Sequence, residues 1–279
     1  MAKKGKIAII PIKGMVVSEE TPASPFPLLA MARTVSSAEV IPLIEGVKKN
    51  RRIKGLILEI NSPGGRPFPC KEIAECVKSL GKPTVAWIKE YAASGGYWIA
   101  SSCDSIVADR LSTLGSIGVT SIRPDFSELM KKFGIDVETM ASGIYKTFGI
   151  PYKKSTPEEK ELLKEELDTI YKNFIEEVTR NRKLNEEVVK EISTGKIYLG
   201  EEAKKFGLID FLGGKNKAIE IIKEKAGIKI YKIVDYAKKM RRPLGFLRRM
   251  FSSKKMGSTL FFEKESWPHF CSIFFKKES

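Results

Sequence analysis

A nearly continuous apolar segment at Ile53–Ile60, IKGLILEI, constrains the fold of this chain more than any other feature. Strands that are buried on both faces of a parallel sheet have this composition. The turn Asn61–Gly65 follows it, then helical apolar spacing over Cys70–Leu80, and then a second strand-like segment at Pro83–Ile88. This alternation of strands and helices predicts an α/β domain in which the loops at the carboxyl ends of the strands share one rim.

Flanking segments extend this pattern on both sides. Lys6–Lys13 has the composition of a strand, and its Pro11 indicates an edge position or a strand end. Residues 18–37 are rich in Ser, Thr, Pro and Ala and are expected to form a loop before a helix at Ser37–Lys49. The expected later elements are helices at 94–101, 185–192 and 215–226 and strands at 105–108 and 228–234.

The clearest helix is predicted at Thr156–Arg182. Thr156 can cap it, Pro157 sits at the first helical position, and Glu159 completes a capping box. Its apolar residues recur at helical spacing, which core packing explains without a ligand. They are Leu162, Leu163, Leu167, Ile170, Phe174 and Val178.

Composition excludes several classes of protein. The four cysteines have neither the paired spacing of a zinc site nor the density of a disulfide scaffold, and no phosphate loop is visible. We therefore expect a reduced compartment and neither a metal nor a cofactor. No apolar run of about 18 residues occurs, and the first residues, MAKKGK, do not lead into a signal peptide. These features predict a cytoplasmic protein or one peripheral to the cytoplasmic face of the membrane.

The net charge of +15 is concentrated towards the carboxyl end. Residues 236–279 contain 11 Lys or Arg against 3 Glu, and residues 238–255 interleave basic and apolar side chains without any acid. We therefore divide the chain into one domain at 1–235 and a basic amphipathic tail at 236–279. The tail suits either an interfacial segment on anionic lipid or a solvated, disordered segment. Nucleic acid is not an expected partner, because no reading motif accompanies the charge.

Residues 91–98, YAASGGYW, place Ser94 between small residues and a glycine pair. The chain has one histidine, His269, which lies in the tail, so the sequence argues against a Ser-His-Asp triad. An activated serine needs a neighbouring proton acceptor, and the remaining acceptor for a hydrolase serine is an unprotonated lysine. Tyr97 and Trp98, just after the serine, are expected to be wall or core residues.

Two glycine-containing turns are candidates for an oxyanion hole. The segment NSPGG at 61–65 directly follows the apolar strand, and its glycines can aim the N–H of Gly65, or that of Gly64, into a cleft. The second donor is expected to be the N–H of Gly95, at the start of a helix. Either turn alone most often marks only a tight turn.

Six sequence motifs follow one another in a recognisable order. They are IAIIPIKG near the start, INSPGG at 60–65, AASGGYWIAS at 92–101, LGSIGV at 114–119, IYKTFGIPYKKSTPEEKELL at 144–163 and KIYLGEEAKKFGLIDFLGG at 196–214. With these motifs in this order, residues 7–225 resemble the signal peptide peptidase A family, which consists of membrane-associated Ser-Lys peptidases with a ClpP/crotonase-like fold of repeated ββα units and a helical arm. The number and order of the motifs make the resemblance specific.

The resemblance implies a role for each candidate residue. It makes Ser94 the nucleophile and Lys146 the general base, with Ser116 orienting the amine. The residues agree for the base, since Lys146 lies in a locally apolar segment without an adjacent acid, whereas Lys153 and Lys154 lie in a charged stretch. Without the resemblance, Ser116 is as well explained as an ordinary turn residue.

The chain departs from the family in two ways. Family members usually carry an amino-terminal membrane anchor, which is not seen here. Double-length members hold the serine and the lysine in different halves of one chain, whereas half-length members build each dyad across neighbouring subunits of a ring. We therefore expect a cyclic homo-oligomer in which Ser94 of one subunit faces Lys146 of the next, and an inactive monomer.

The leading interpretation is a serine endopeptidase for extended apolar peptides, such as signal peptide remnants or membrane-protein segments. One alternative is crotonase-type acyl-CoA chemistry, which uses a similar fold and oxyanion hole but normally needs carboxylates. Another is a membrane-associated scaffold or a protease partner of stomatin-like proteins, as in a related ClpP-like family.

Overall fold

A mostly parallel sheet organises the part of the chain that the computed structural model describes, residues 4–19 and 33–236. The strands of this part of the chain are β1 (Lys4–Lys13), β2 (Met15–Val17), β3 (Thr34–Ser36), β4 (Ile53–Ser62), β5 (Thr84–Ala93), β6 (Ser105–Ala108), β7 (Thr113–Gly115), β8 (Ile197–Leu199), β9 (Phe211–Leu212) and β10 (Ile230–Asp235). Its helices are α1 (Ser37–Lys49), α2 (Pro67–Lys78), α3 (Gly95–Ser101), α4 (Ser127–Lys132), α5 (Pro157–Arg182), α6 (Glu186–Ile192), α7 (Gly200–Lys205) and α8 (Lys215–Ala226).

The strand order in the main sheet is β10-β1-β4-β5-β6-β9, and all of these neighbours run parallel. The short strand β7 pairs with the far end of β5, and β8 pairs antiparallel with β7. A separate parallel pair, β2 and β3, lies at the carboxyl ends of β1 and β4, where Val16 bridges to Gly65. The predicted α/β class is therefore confirmed.

Both faces of the sheet are covered, which explains the unbroken apolar run in β4. Leu56 and Leu58 face a large core with α1, α2 and α3, whereas Ile57 faces a smaller core formed largely by α8. Successive side chains of a strand point to opposite faces, so a strand covered on both sides must be apolar at every position.

The predicted edge position of Pro11 agrees with the pairing of β1. The ladder between β1 and β10 ends at Ile9, which pairs with Asp235, so β10 does not reach Pro11. On its other side Pro11 pairs with Glu59 of β4. Proline lacks the N–H, and it is accommodated because none of the strands among the described residues needs a donor there.

Residues 120–155, hereafter the arm, form an excursion between β7 and α5 that contains only the short helix α4. The two ends of the arm meet at its base, where the Phe126 N–H donates to the Pro151 carbonyl at 2.7 Å and Arg123 lies 4.3 Å from the centre of the Phe148 ring. Most of its large apolar side chains are exposed.

The predicted boundary between the domain at 1–235 and the tail at 236–279 lies at the end of the described residues. The tail from residue 237 onward, with His269, lies outside them. Within the described ranges, none of the helices combines the length and the apolarity needed to cross a bilayer.

Candidate active site

The predicted rim exists, because β4, β5 and β7 are parallel and end at the same edge of the sheet. Four residues that follow these ends line one cavity of about 730 Å³. They are Gly65, Ser94, Gly95 and Ser116. The structure therefore brings the candidate nucleophile, both candidate oxyanion donors and the candidate orienting residue together.

Ser94 has an unusual backbone for a residue with a side chain, with φ 50° and ψ −125°. Its N–H donates to the Gly115 carbonyl at 2.8 Å, and its own carbonyl accepts from Tyr97 at 2.9 Å and from Trp98 at 3.0 Å. Such a conformation costs roughly 1–3 kcal/mol and persists only where the surroundings enforce it. The Ser94 hydroxyl lines the cavity and has no hydrogen-bond partner among residues 4–19 and 33–236.

The two glycine pairs pack directly against each other. A Cβ on Gly64 would lie 2.9 Å from the Gly95 nitrogen, and a Cβ on Gly96 would lie 2.7 Å from the Ser62 carbonyl oxygen. A Cβ on Gly95 would lie 2.3 Å from the sulfur of Cys70. The turns after β4 and β5 can therefore approach this closely only because glycine occupies these positions.

The N–H of Gly65 is directed away from the neighbouring backbone. Val16 donates to the Gly64 carbonyl at 2.8 Å and accepts from the Arg66 N–H at 2.9 Å, so its pairing skips Gly65. The Gly65 nitrogen lies 3.4 Å from the position of a Cβ on Gly95. Two adjacent N–H groups at the rim of a cavity can stabilise an oxyanion.

The alternative donor, Gly64, is already engaged. Its N–H donates to the Ser62 hydroxyl at 3.1 Å, and that hydroxyl in turn donates to the Gly14 carbonyl at 2.7 Å. The buried Ser62 thereby fixes the turn, which leaves Gly65 as the residue of this pair with an N–H available to a ligand among the described contacts.

Ser116 shares the left-handed backbone of Ser94, with φ 50°. Its N–H donates to the Lys196 carbonyl at 2.8 Å, while the preceding Gly115 accepts from Ser94. A chain of backbone bonds from β8 through β7 thus holds both serines at the rim.

The structure of one chain does not bring Lys146 to Ser94. Lys146 lies in the arm, its side chain is exposed, and it is not among the described residues that line the cavity. The locally apolar segment around Lys146 does not bury its side chain within a single chain. Lys153 and Lys154 pair with Glu159 at 2.8 Å and with Glu128 at 2.7 Å, in line with their charged stretch.

Helix α5 supplies an apolar wall that the sequence interpretation assigned to core packing alone. Phe174 stacks on Trp98 with ring centres 4.6 Å apart, and both line the cavity together with Leu167 and Ile170. The Trp98 ring nitrogen donates to the carboxylate of Glu177 at 2.7 Å. Phe174 and Val178 are buried in the core as predicted, whereas Leu162 is exposed and Leu167 and Ile170 face the site. Helical spacing alone does not distinguish these environments.

Several known proteins that resemble this chain are peptidases. A family model with the description "Peptidase family S49" matches residues 77–229. A relative in Methanocaldococcus jannaschii is 37% identical over 198 residues, covering 70% of this chain and 64% of that protein. The chloroplastic serine protease SPPA of Arabidopsis thaliana is 33% identical over 211 residues, covering 75% of this chain and 31% of that protein.

A solved structure of a membrane-bound stomatin-specific protease is similar over 83% of this chain and 98% of that one, with a TM-score of 0.49 and 15% identity. The chain spans less than two thirds of the length of the two relatives above. The match to the family nevertheless extends over more than half of this chain. The chain therefore belongs to peptidase family S49, a family of serine peptidases with the ClpP-like α/β fold predicted from the sequence.

Proposed function

We propose that this chain is the catalytic subunit of a serine endopeptidase that cleaves extended apolar peptides, such as signal peptide remnants or membrane-protein segments. The observation that carries the proposal is the strained Ser94, whose hydroxyl lines the cavity beside the N–H groups of Gly65 and Gly95. A strained nucleophile next to unpaired backbone donors is the arrangement that acyl transfer requires.

In the proposed reaction the Ser94 oxygen attacks the carbonyl carbon of the peptide bond while its proton passes to the neutral amine of Lys146. The N–H groups of Gly65 and Gly95 stabilise the negative oxygen of the tetrahedral intermediate. The intermediate then expels the amine product, which takes the proton from Lys146, and an acyl-enzyme remains on Ser94. Lys146 next activates water, which releases the acid and restores the serine.

Lys146 is proposed to come from a neighbouring subunit of a cyclic homo-oligomer. Its exposure in the single chain suits this role, because an exposed amine is available to a second copy. The arm that carries it also exposes large apolar side chains, with Ile122, Met140 and Ile144 at 89%, 91% and 81%. Large exposed apolar patches mark contacts with other proteins or with membranes.

Ser116 is proposed to orient the incoming amine of Lys146. It lines the same cavity as Ser94, and the Gly115 carbonyl that precedes it holds the Ser94 N–H. A hydroxyl can accept a hydrogen bond from the amine without adding a negative charge, so it does not favour the protonated form as a carboxylate does.

The preference for apolar peptides is supported by the wall of the cavity. Leu167 and Ile170 present apolar surface in the cavity that holds Ser94, with the almost fully buried rings of Trp98 and Phe174 in the same lining, and apolar side chains of a substrate gain free energy by leaving water there.

The central test measures hydrolysis of an apolar peptide by the purified oligomer. Ser94→Ala and Lys146→Ala are each expected to lower kcat at least about a thousandfold, because the nucleophile or its base is lost. Lys132→Ala, which changes another exposed lysine of the arm, is the matched control and should retain activity. Undiminished hydrolysis in either catalytic variant would refute the assignment.

Mixing tests whether the site is shared. After subunit exchange between Ser94→Ala and Lys146→Ala oligomers, some junctions combine an intact serine with an intact lysine, so part of the activity should return. No recovery, with exchange demonstrated by a fluorescent label, contradicts the shared dyad. Labelling of Ser94 by a serine-directed acylating inhibitor separates the peptidase from acyl-CoA chemistry and from a non-catalytic scaffold.

A further inference from the structure

A second cavity, of about 450 Å³, lies at the amino-terminal edge of the sheet, opposite the active-site rim. The first residues of β10, β1 and β4, with the turn that precedes β4, surround it. Its described lining contains six cationic side chains and no carboxylate. They are Lys4, Lys6, Arg51, Arg52, Lys54 and Lys232. We call this surface the basic face.

None of these six cations forms an ion pair with a carboxylate of the described residues. Elsewhere in the same part of the chain, many lysines and arginines pair with glutamate or aspartate, as Lys13 does with Glu59 at 2.6 Å. Charges of one sign that surround a concave surface repel each other and add to a strong local field. Such a surface has a cost without a partner, so it favours a partner that carries negative charge.

Two exposed residues identify the kind of anion. Ile230 and Tyr231, which are 49% and 39% exposed, both line the cavity among the cations, with their side chains on opposite faces of β10. Tyrosine is enriched at membrane interfaces, where its ring enters the apolar boundary while its hydroxyl stays at the headgroups. The Lys223 amine lies 5.1 Å from the centre of the Tyr231 ring, which occupies a face that a nucleic-acid base would stack on.

We infer that the basic face docks the folded domain onto an anionic phospholipid surface. The phosphate groups of the lipids would occupy the cationic cavity, and Ile230 and Tyr231 would lie at the level of the headgroups. This site belongs to residues 4–232 and is separate from the basic tail. It does not depend on the proposed catalytic roles.

The docked orientation has a consequence for access to the active site. Strand β4 has ten residues from the basic face to Ser62, which corresponds to roughly 33 Å. A domain that rests on its basic face therefore turns the Ser94 cavity away from the lipid, towards peptides that approach from the aqueous side.

The test uses the full chain and vesicles of phosphatidylcholine with or without phosphatidylglycerol, with binding measured by co-sedimentation. The triple variant Arg51→Glu, Arg52→Glu, Lys232→Glu should bind the anionic vesicles at least about tenfold more weakly. The control variant Lys160→Glu, Lys190→Glu, Lys204→Glu makes the same change in net charge at exposed lysines outside the basic face. It should bind within about twofold of the native chain.

The proposal is overturned if both variants lose binding equally, because net charge alone would then explain it, or if neither does. It is also overturned if the basic-face variant loses affinity for a duplex oligonucleotide but keeps its affinity for vesicles. The corresponding glutamine variant provides the same comparison if the charge reversal prevents folding. Retained peptide hydrolysis and native circular dichroism in the variants keep this result distinct from any failure of the proposed peptidase activity.

Discussion

Contacts of single atoms determine where the oxyanion donors lie. Gly64 has φ 110°, and a Cβ atom added to it would lie 2.9 Å from the Gly95 nitrogen and 3.0 Å from the Ala93 carbonyl oxygen. These are backbone atoms, which cannot move aside as the end of a flexible side chain can. A side chain at position 64 would therefore displace the backbone that carries Ser94 and the Gly95 N–H.

We predict that Gly64→Ala lowers kcat about a hundredfold, because it displaces the neighbouring donor, and destabilises the fold by roughly 1–3 kcal/mol. Peptide hydrolysis and urea unfolding measure the two effects. Gly81→Ala is the control, since Gly81 also has a positive φ, of 69°, but has open space around it. The control should lose stability while keeping kcat, and an equal loss of kcat in both variants would show that strain alone is responsible.

The sequence predicts which residues form the site, but it does not predict their backbone conformations. Ser94, Gly65 and Gly95 follow from motif and resemblance, whereas the positive φ of Ser94 and Ser116 has no local signal, because serine seldom adopts it. The contact between Gly95 and Cys70 also depends on tertiary packing. Burial there raises the pKa of the Cys70 thiol to about 12.

Helix α5 begins at the base of the arm, and a side-chain contact connects the first turn of the helix to the arm. The capping box predicted from Thr156 and Glu159 is present, and the carboxylate of Glu159 also accepts a hydrogen bond from Lys153 at 2.8 Å. The bond from Lys153, followed by that from the Thr156 N–H, holds the pKa of the Glu159 carboxyl below its usual range. The ionised carboxylate therefore stabilises the fold.

The direction of the Glu159 pKa shift determines how the stability of the fold depends on pH. A lowered pKa in the folded state gives stability that is fully present above the usual glutamate value of about 4.3 and is lost as the pH falls through the lower folded value. We predict that Glu159→Gln is less thermally stable than the native chain at pH 7, and that the difference shrinks towards zero with acidification. Glu166→Gln, exposed on the same helix, should show no such trend. A difference that stays constant with pH would exclude the charge as its cause.

Long elements follow from local signals, whereas short ones do not. Helix α1 and helix α8 have the predicted limits, because apolar spacing over several turns outweighs other influences. Strand β5 continues five residues beyond its predicted end at Ile88, because β7 pairs with that extension. Strands of two or three residues, such as β7 and β9, exist only through their partners and carry no pattern of their own.

For the whole molecule, the arm is the feature that a single chain leaves unexplained. We predict that the double variant Ile122→Glu, Met140→Glu breaks the oligomer, because it places charges in a surface that a second copy would bury. Stability of the separated subunit should be nearly unchanged, since both side chains are exposed in one chain. Native mass spectrometry and circular dichroism measure these two outcomes.

Leu111→Glu is the matched control for the arm, because Leu111 is 79% exposed but lies outside it. An intact oligomer in the control and dissociation in the arm variant would locate the contact in the arm. If the arm variant remains fully assembled, the exposed apolar residues serve another purpose and the shared dyad loses its structural support.

If the Ser94 and Lys146 of each dyad come from neighbouring subunits, the rate of hydrolysis per subunit depends on the protein concentration. Lys146 does not line the cavity that holds Ser94, although Lys164 of α5 does, so in the proposed mechanism a dissociated subunit has a nucleophile and oxyanion donors but lacks its general base Lys146. We predict that the rate per subunit falls steeply upon dilution through the dissociation range, in parallel with the oligomer fraction measured by mass photometry. The Ser94 cavity remains intact in the monomer, so peptide binding should persist after hydrolysis is lost. A rate per subunit that stays constant in a population shown to be monomeric would place the base within the same chain.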